Sequence, residues 1–220
     1  MSTFKQNQME VRFMVGIPRS FVHLALLLSV VTATSLSTSA QEVRERQLIP
    51  AFDLATIQMP VEIVSIKLND KEIRPGEKIN GNDEWLRGVS FTLKNISAQP
   101  IAYVNIGFKF PLPNGFVVYS LPYGINLSLP DMRGPSPPAI QPGQSLDLVL
   151  TNESYKSFLY VLAQAGASSS FDTAAYYVDT VCFENQSEVI WHGGFLKRRH
   201  PTEIGRFDAI GRYVLPTSQR

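Results

Sequence analysis

The sequence predicts a mainly β protein, an antiparallel sandwich of about seven strands with one inserted helix, and three observations carry that expectation. Apolar residues alternate with polar ones in several short windows, clearest at Val89, Phe91 and Leu93. Helical spacing stands out in the window from Thr151 to Gly166. Turn residues such as Gln141-Pro142-Gly143-Gln144 separate the windows at the intervals of a layered β fold. The composition agrees, because 220 residues with 44% apolar and 18% charged side chains describe a folded globular chain rather than a disordered one.

Residues 1–40 read as a signal peptide. Lys5, Arg12 and Arg19 precede the apolar run Phe21 to Val31, and small residues follow, with cleavage expected after Ala40. The run is shorter than a bilayer span requires, so an exported, periplasmic or extracellular product with no stable membrane span is expected. Met14 is an equally workable start for such a signal. Residues 41–60 lack a sustained period and read as a loosely packed N-terminal extension. The sandwich is expected over 61–196 and a basic tail over 197–220.

Within the sandwich, Val61 and Ile63 share one parity while Val64, Ile66 and Leu68 share the other, which predicts a bulge or a change of sheet. Val104, Ile106, Phe108 and Phe110 predict a strand from Ile101 to Phe110, ended by Pro111 and Pro113. Phe116 to Leu121 predicts another. Leu146, Leu148 and Leu150 predict one more, after the turn at Pro142-Gly143. Thr151 or Asn152 caps the helix, Glu153 suits its first turn, and Phe158, Leu159, Leu162 and Ala165 form its apolar stripe until Gly166. Ala174 to Phe183 and Val189 to Phe195 then predict a final hairpin around residues 184–187.

The charge balance excludes one class of partner. The 20 basic and 19 acidic groups become 17 and 18 once the signal's three basic and one acidic groups are removed, so no field concentrates nucleic acid around the molecule. A single cysteine excludes an internal disulfide and a CxxC metal site. His192 and His200 stand outside any HExxH or HxH spacing, so neither a metal nor another cofactor is expected. Asp83-Glu84, Asp131, Asp172 and Asp179 are scattered, Gly193-Gly194 lacks the helix of a phosphate cradle, and no GxSxG elbow occurs.

The sharpest enzymatic reading pairs Cys182 with His192 across the final hairpin. Register decides it. A two-residue loop puts the two side chains on opposite faces, whereas a three-residue loop sets Cys182 opposite Ile190 and diagonal to His192. A buried, inert thiol is the commoner fate of a lone cysteine. For binding, Tyr123, Trp191, Arg198 and Arg199 are the candidate residues: two amphipathic rings and the start of the basic tail, suited to an envelope protein or polymer. The proline-rich stretch Pro130 to Gly143 reads as a spacer loop. Four Asn-x-Ser motifs, at Asn95, Asn126, Asn152 and Asn185, fall where turns and caps need them anyway.

Three stretches also carry a resemblance: Trp85-Leu86 leading into Phe91-Thr92-Leu93-Lys94-Asn95-Ile96-Ser97, then Gln141-Pro142-Gly143-Gln144, then Phe183 through Trp191 to Arg198-Arg199-His200-Pro201. On these the chain resembles a loose group of exported bacterial proteins with immunoglobulin-like or fibronectin type III-like sandwiches, over most of residues 61–201. The resemblance implies a fold and no activity. Where similar chains look to have a tight Asp-Gly hairpin after Phe183, this one has Asn185-Gln186. The expectation is an exported, non-enzymatic binding or scaffolding module, with a cysteine-dependent enzyme as its rival.

Overall fold

The computed structural model describes residues 42–52, 56–112, 115–124, 137–168, 170–184, 189–203 and 206–215. The expected signal peptide, the proline-rich stretch up to residue 136, Asp131, the Asn126 motif and the hairpin loop 185–188 lie outside the described residues.

The described chain is mainly β, with twelve strands and one helix: β1 (Arg44–Pro50), β2 (Val61–Leu68), β3 (Lys71–Ile73), β4 (Lys78–Gly81), β5 (Ser90–Asn95), β6 (Ile101–Leu112), β7 (Gly115–Gly124), β8 (Ser145–Val149), α1 (Asn152–Gln164), β9 (Thr173–Phe183), β10 (Val189–His192), β11 (Phe195–Arg199) and β12 (Phe207–Arg212). They make two sheets. The smaller is antiparallel, in the order β3-β2-β5-β8. The larger has eight strands, with β9 at its centre: β6 and then β7 lie on one side. On the other side β9 meets β1 along its first half and β10 along its second, and these lead on to β4 and to β11-β12 respectively.

The larger sheet is mixed, not antiparallel as expected, because β1 runs parallel to β9, Leu48 beside Ala174. The segment read as a loose extension therefore supplies a strand. Its anchor is Arg46, fully buried, whose Nη1 donates to the Phe171 carbonyl and to Asp172 Oδ1, both at 2.6 Å, and whose Nη2 donates to Asp83 Oδ1 at 2.8 Å. The tail is likewise structured, since β11 and β12 extend the sheet through residues 195–212. Neither segment alternates cleanly enough to advertise a strand: β1 buries an arginine and β12 is exposed along most of its length.

The parity flip in β2 is a bulge, with the register against β5 shifting between Ile63 and Ser65 and leaving Val64 exposed. β6 runs past its expected end to Leu112. Pro111 stands beyond the last β9 pair, Lys109 with Ala175, where β6 has a neighbour on one side only. From Ile101 to Phe108 β6 is buried on both faces rather than alternating, because side chains cover its second face as well. In α1, Thr151 Oγ1 accepts from the Ser154 N–H at 3.2 Å as the cap, Tyr155, Phe158 and Leu162 face inward, and Gly166 at φ 68° ends the run.

Apolar side chains from both sheets share one core. Phe91 of β5 meets Phe108 and Tyr176 of the larger sheet, with ring centroids 5.8 and 5.3 Å apart. Phe110, Phe158 and Phe171 stack at the helix end of this core. Asn95, fully buried, is spent there: its Nδ2 donates to the Gln99 and Ile140 carbonyls and its Oδ1 accepts from Ser97, so this motif is a turn and not a glycan acceptor in the folded chain.

Candidate functional site

The hairpin register resolves first. Ile190 faces Cys182 and His192 faces Thr180, the arrangement of a longer loop, so Cys182 and His192 do lie on one face. Their surroundings differ. Cys182 is 1% exposed and packs with Tyr103 and Ile190, with Phe207 of β12 against them. His192 reaches across to β9, toward Thr180, 3.4 Å from Nδ1 to Oγ1, and Asp179, 3.6 Å from Nδ1 to Oδ1. Burial pushes the Tyr103 hydroxyl beside this cluster up to about 12, with Cys182 and Asp179 adding to the effect.

The four residues expected to bind occupy three strands. Tyr123, Val104, Val181 and Trp191 form one row across β7, β6, β9 and β10, which sets Tyr123 and Trp191 about 14 Å apart. Tyr123 donates its hydroxyl to the Pro138 carbonyl at 2.9 Å. Trp191 is 1% exposed and donates Nε1–H to the Gln58 carbonyl at 3.0 Å. Arg198 and Arg199 lie one strand further, on β11, opposite Asp208 and Phe207 of β12.

A different concavity forms where β1 and β10 part. The β1 register on β9 ends at Tyr176 and the β10 register begins at Thr180, so Tyr177, Val178 and Asp179 bridge a gap along that edge. Asp179 is also the extra residue of a bulge against β6, whose register shifts between Asn105 and Ile106. A bulge tightens the local twist and re-aims side chains, and this one turns Asp179 outward.

The resulting groove has a volume of about 310 Å³. Phe52, Ile57 and Met59 of the segment leaving β1 line one wall, and Phe116 and Val118 of β7 line another. Tyr177, Asp179 and His192 complete it, with Lys109 of β6. Its floor depends on Gly107, since a Cβ there would overlap the ring of Tyr177. The Lys109 ammonium stands 4.5 Å from the Phe52 ring centroid and 5.0 Å from those of Phe116 and Tyr177.

At the other end, Asp179 Oδ2 accepts from Thr180 Oγ1 at 2.9 Å and from Asn105 Nδ2 at 3.2 Å, and Asn105 Nδ2 also donates to Ser120 Oγ at 3.2 Å. The site is thus an apolar trough with a cation at one end and a hydrogen-bonded carboxylate and imidazole at the other. Of the residues expected from sequence, Trp191 and His192 line it. Lys109, Tyr177 and Gly107 were missed because only the β6–β9 register brings them together. The sequence signal was Gly107 and Lys109 which, with Asn105, interrupt a mostly apolar strand.

Among the described residues, no group of three or more metal-ligating side chains gathers, and no helix is long and apolar enough to cross a membrane. Comparison of the chain with protein-family models, with curated proteins and with solved structures gave no match.

Proposed function

We propose that the protein is an exported, non-enzymatic binding module of the bacterial cell envelope, an immunoglobulin-like sandwich in which the groove at the β9 bulge holds the ligand. The observation that carries this reading is the groove itself: apolar walls from three chain segments converge with a few polar groups, the usual composition of a ligand site. The sandwich reading draws support from the core shared by the two sheets, Phe91 against Phe108 and Tyr176. Export draws on the N-terminal sequence alone. The non-enzymatic reading draws on the lack of a catalytic motif in the sequence and on the burial of Cys182 away from His192.

Two measurements test it. Cell fractionation of the full chain is expected to place a processed form outside the cytoplasm; retention of the unprocessed chain inside would end the envelope reading. Envelope extract passed over the immobilised mature protein and over a Val118→Trp variant, which fills the groove, is expected to leave a component on the first alone. Equal retention on both would remove the groove from the function.

A further inference from the structure

We infer that the groove takes a small amphipathic anion, an acid with one carboxylate, sulfonate or phosphate group on an aromatic or branched apolar body. This rests on the groove being the ligand site proposed above. The Lys109 ammonium is the reason. Among the described residues it forms no ion pair with a carboxylate, unlike the buried Arg46. Instead it rests against three ring faces. A ring quadrupole holds a cation without supplying a hydrogen-bond acceptor, so the ammonium's N–H groups remain available to an anion entering the trough.

The rest of the groove selects the ligand's shape and orientation. Ile57, Met59, Phe116 and Val118 offer it hydrocarbon, and about 310 Å³ is at the small end of ligand cavities, room for one or two rings. Asp179 stands four residues along β9 from Ala175, the partner of Lys109, or roughly 13 Å away. Its carboxylate repels a second negative group there, so the site excludes ligands with an acid at each end and directs a single acid toward Lys109.

Two fluorescent probes of nearly equal shape read this directly: 8-anilinonaphthalene-1-sulfonate and its uncharged counterpart N-phenyl-1-naphthylamine, titrated into the folded mature protein. The wild type is expected to bind the sulfonate at least tenfold tighter than the neutral probe. Lys109→Gln should erase that preference, Lys109→Arg should keep most of it, and Val118→Trp should weaken both probes. Equal affinity of the wild type for the two probes, with both still blocked by Val118→Trp, would overturn the anion inference and leave the groove as a ligand site. A preference that survives in Lys109→Gln would overturn it too. Probe binding indifferent to Val118→Trp, or no binding at all, would overturn the groove reading together with the inference.

Discussion

Gly107 on β6 faces Tyr177 on β9, and the tyrosine ring lies across the space where any larger residue at 107 would place its Cβ. The pair is what makes a flat aromatic floor possible beside Lys109. A strand interior otherwise disfavours glycine, so close approach of another group is the physical reason for one at this position.

Gly107→Ala is therefore expected to push the Tyr177 ring off the sheet and to destabilise the fold by about 1–3 kcal/mol, the usual cost of overpacking. Tyr177→Ala opens the same space from the other side. A double-mutant cycle followed by urea unfolding should show Gly107→Ala costing much less in the Tyr177→Ala background. Additive effects would mean that the ring does not depend on the glycine.

Arg46 joins β1 to the two loops that carry Asp83 and Asp172. Its guanidinium is fully buried, while the side chains of Asp83 and Asp172 are 36% and 60% exposed, so the carboxylates can return to water. Arg46→Met is expected to cost about 2 kcal/mol, from the lost hydrogen bonds to the Gly81 carbonyl and to the Phe171 carbonyl, which keeps the Trp85 Nε1–H as a donor. An unfolding midpoint unchanged from the wild type would show that β1 is held by its ladder alone.

The same cluster sets an acid limit. The nearby Ser170 hydroxyl and then the Arg46 guanidinium hold the Asp83 carboxyl below its ordinary value. A depressed carboxylate contributes stability that is present above its unfolded value and lost as the pH falls through the folded one. In Asp83→Asn the acid-side loss of stability should be shallower than in the wild type, as followed by circular dichroism. An unchanged acid limb would assign the loss to other carboxylates.

At the alkaline end the sign reverses. Burial pushes Tyr103, Tyr155 and Tyr176 up to about 12 from an ordinary value of 10.0. A hydroxyl with a raised folded value leaves stability fully present below the unfolded value and lost as the pH rises toward the folded one, so the fold should weaken between about pH 10 and 12. Tyrosinate absorbance should rise in two steps, the exposed rings first and these three with unfolding. A single step near 10 would contradict their burial.

Much of this architecture was legible in the chain, and the failures share a cause. Period-two windows announced β5, β6 and β8, the β2 parity flip announced its bulge, and Thr151 and Gly166 bounded the helix, because each signal is local. β1 was missed because its stabilising contacts come from residues 29 to 126 positions away, and a buried arginine reads as a surface residue until its partners are known. The groove was missed for the same reason. Its cation, floor and carboxylate belong to β6 and β9, and register alone makes them neighbours. Trp191, expected as a binding ring, packs in the core, donates its N–H to Gln58 and also lines the groove.

Cys182 offers the sharpest discrimination between a binding module and a thiol enzyme. It sits between Ile190 on β10 and Tyr103 on β6, and Phe207 of β12 packs onto this small cluster. A reagent such as 5,5′-dithiobis(2-nitrobenzoate) must wait for that cover to open, so native protein near neutral pH should react at least about a hundredfold more slowly than protein in guanidinium. Phe207→Ala removes part of the cover and should raise the native rate without changing the rate in guanidinium. His192→Ala should leave both rates alone, because the imidazole is engaged with Thr180 and Asp179 of β9. Fast native labelling that slows in His192→Ala would mean that the imidazole activates the thiol, and the protein would then have to be read as a cysteine-dependent enzyme.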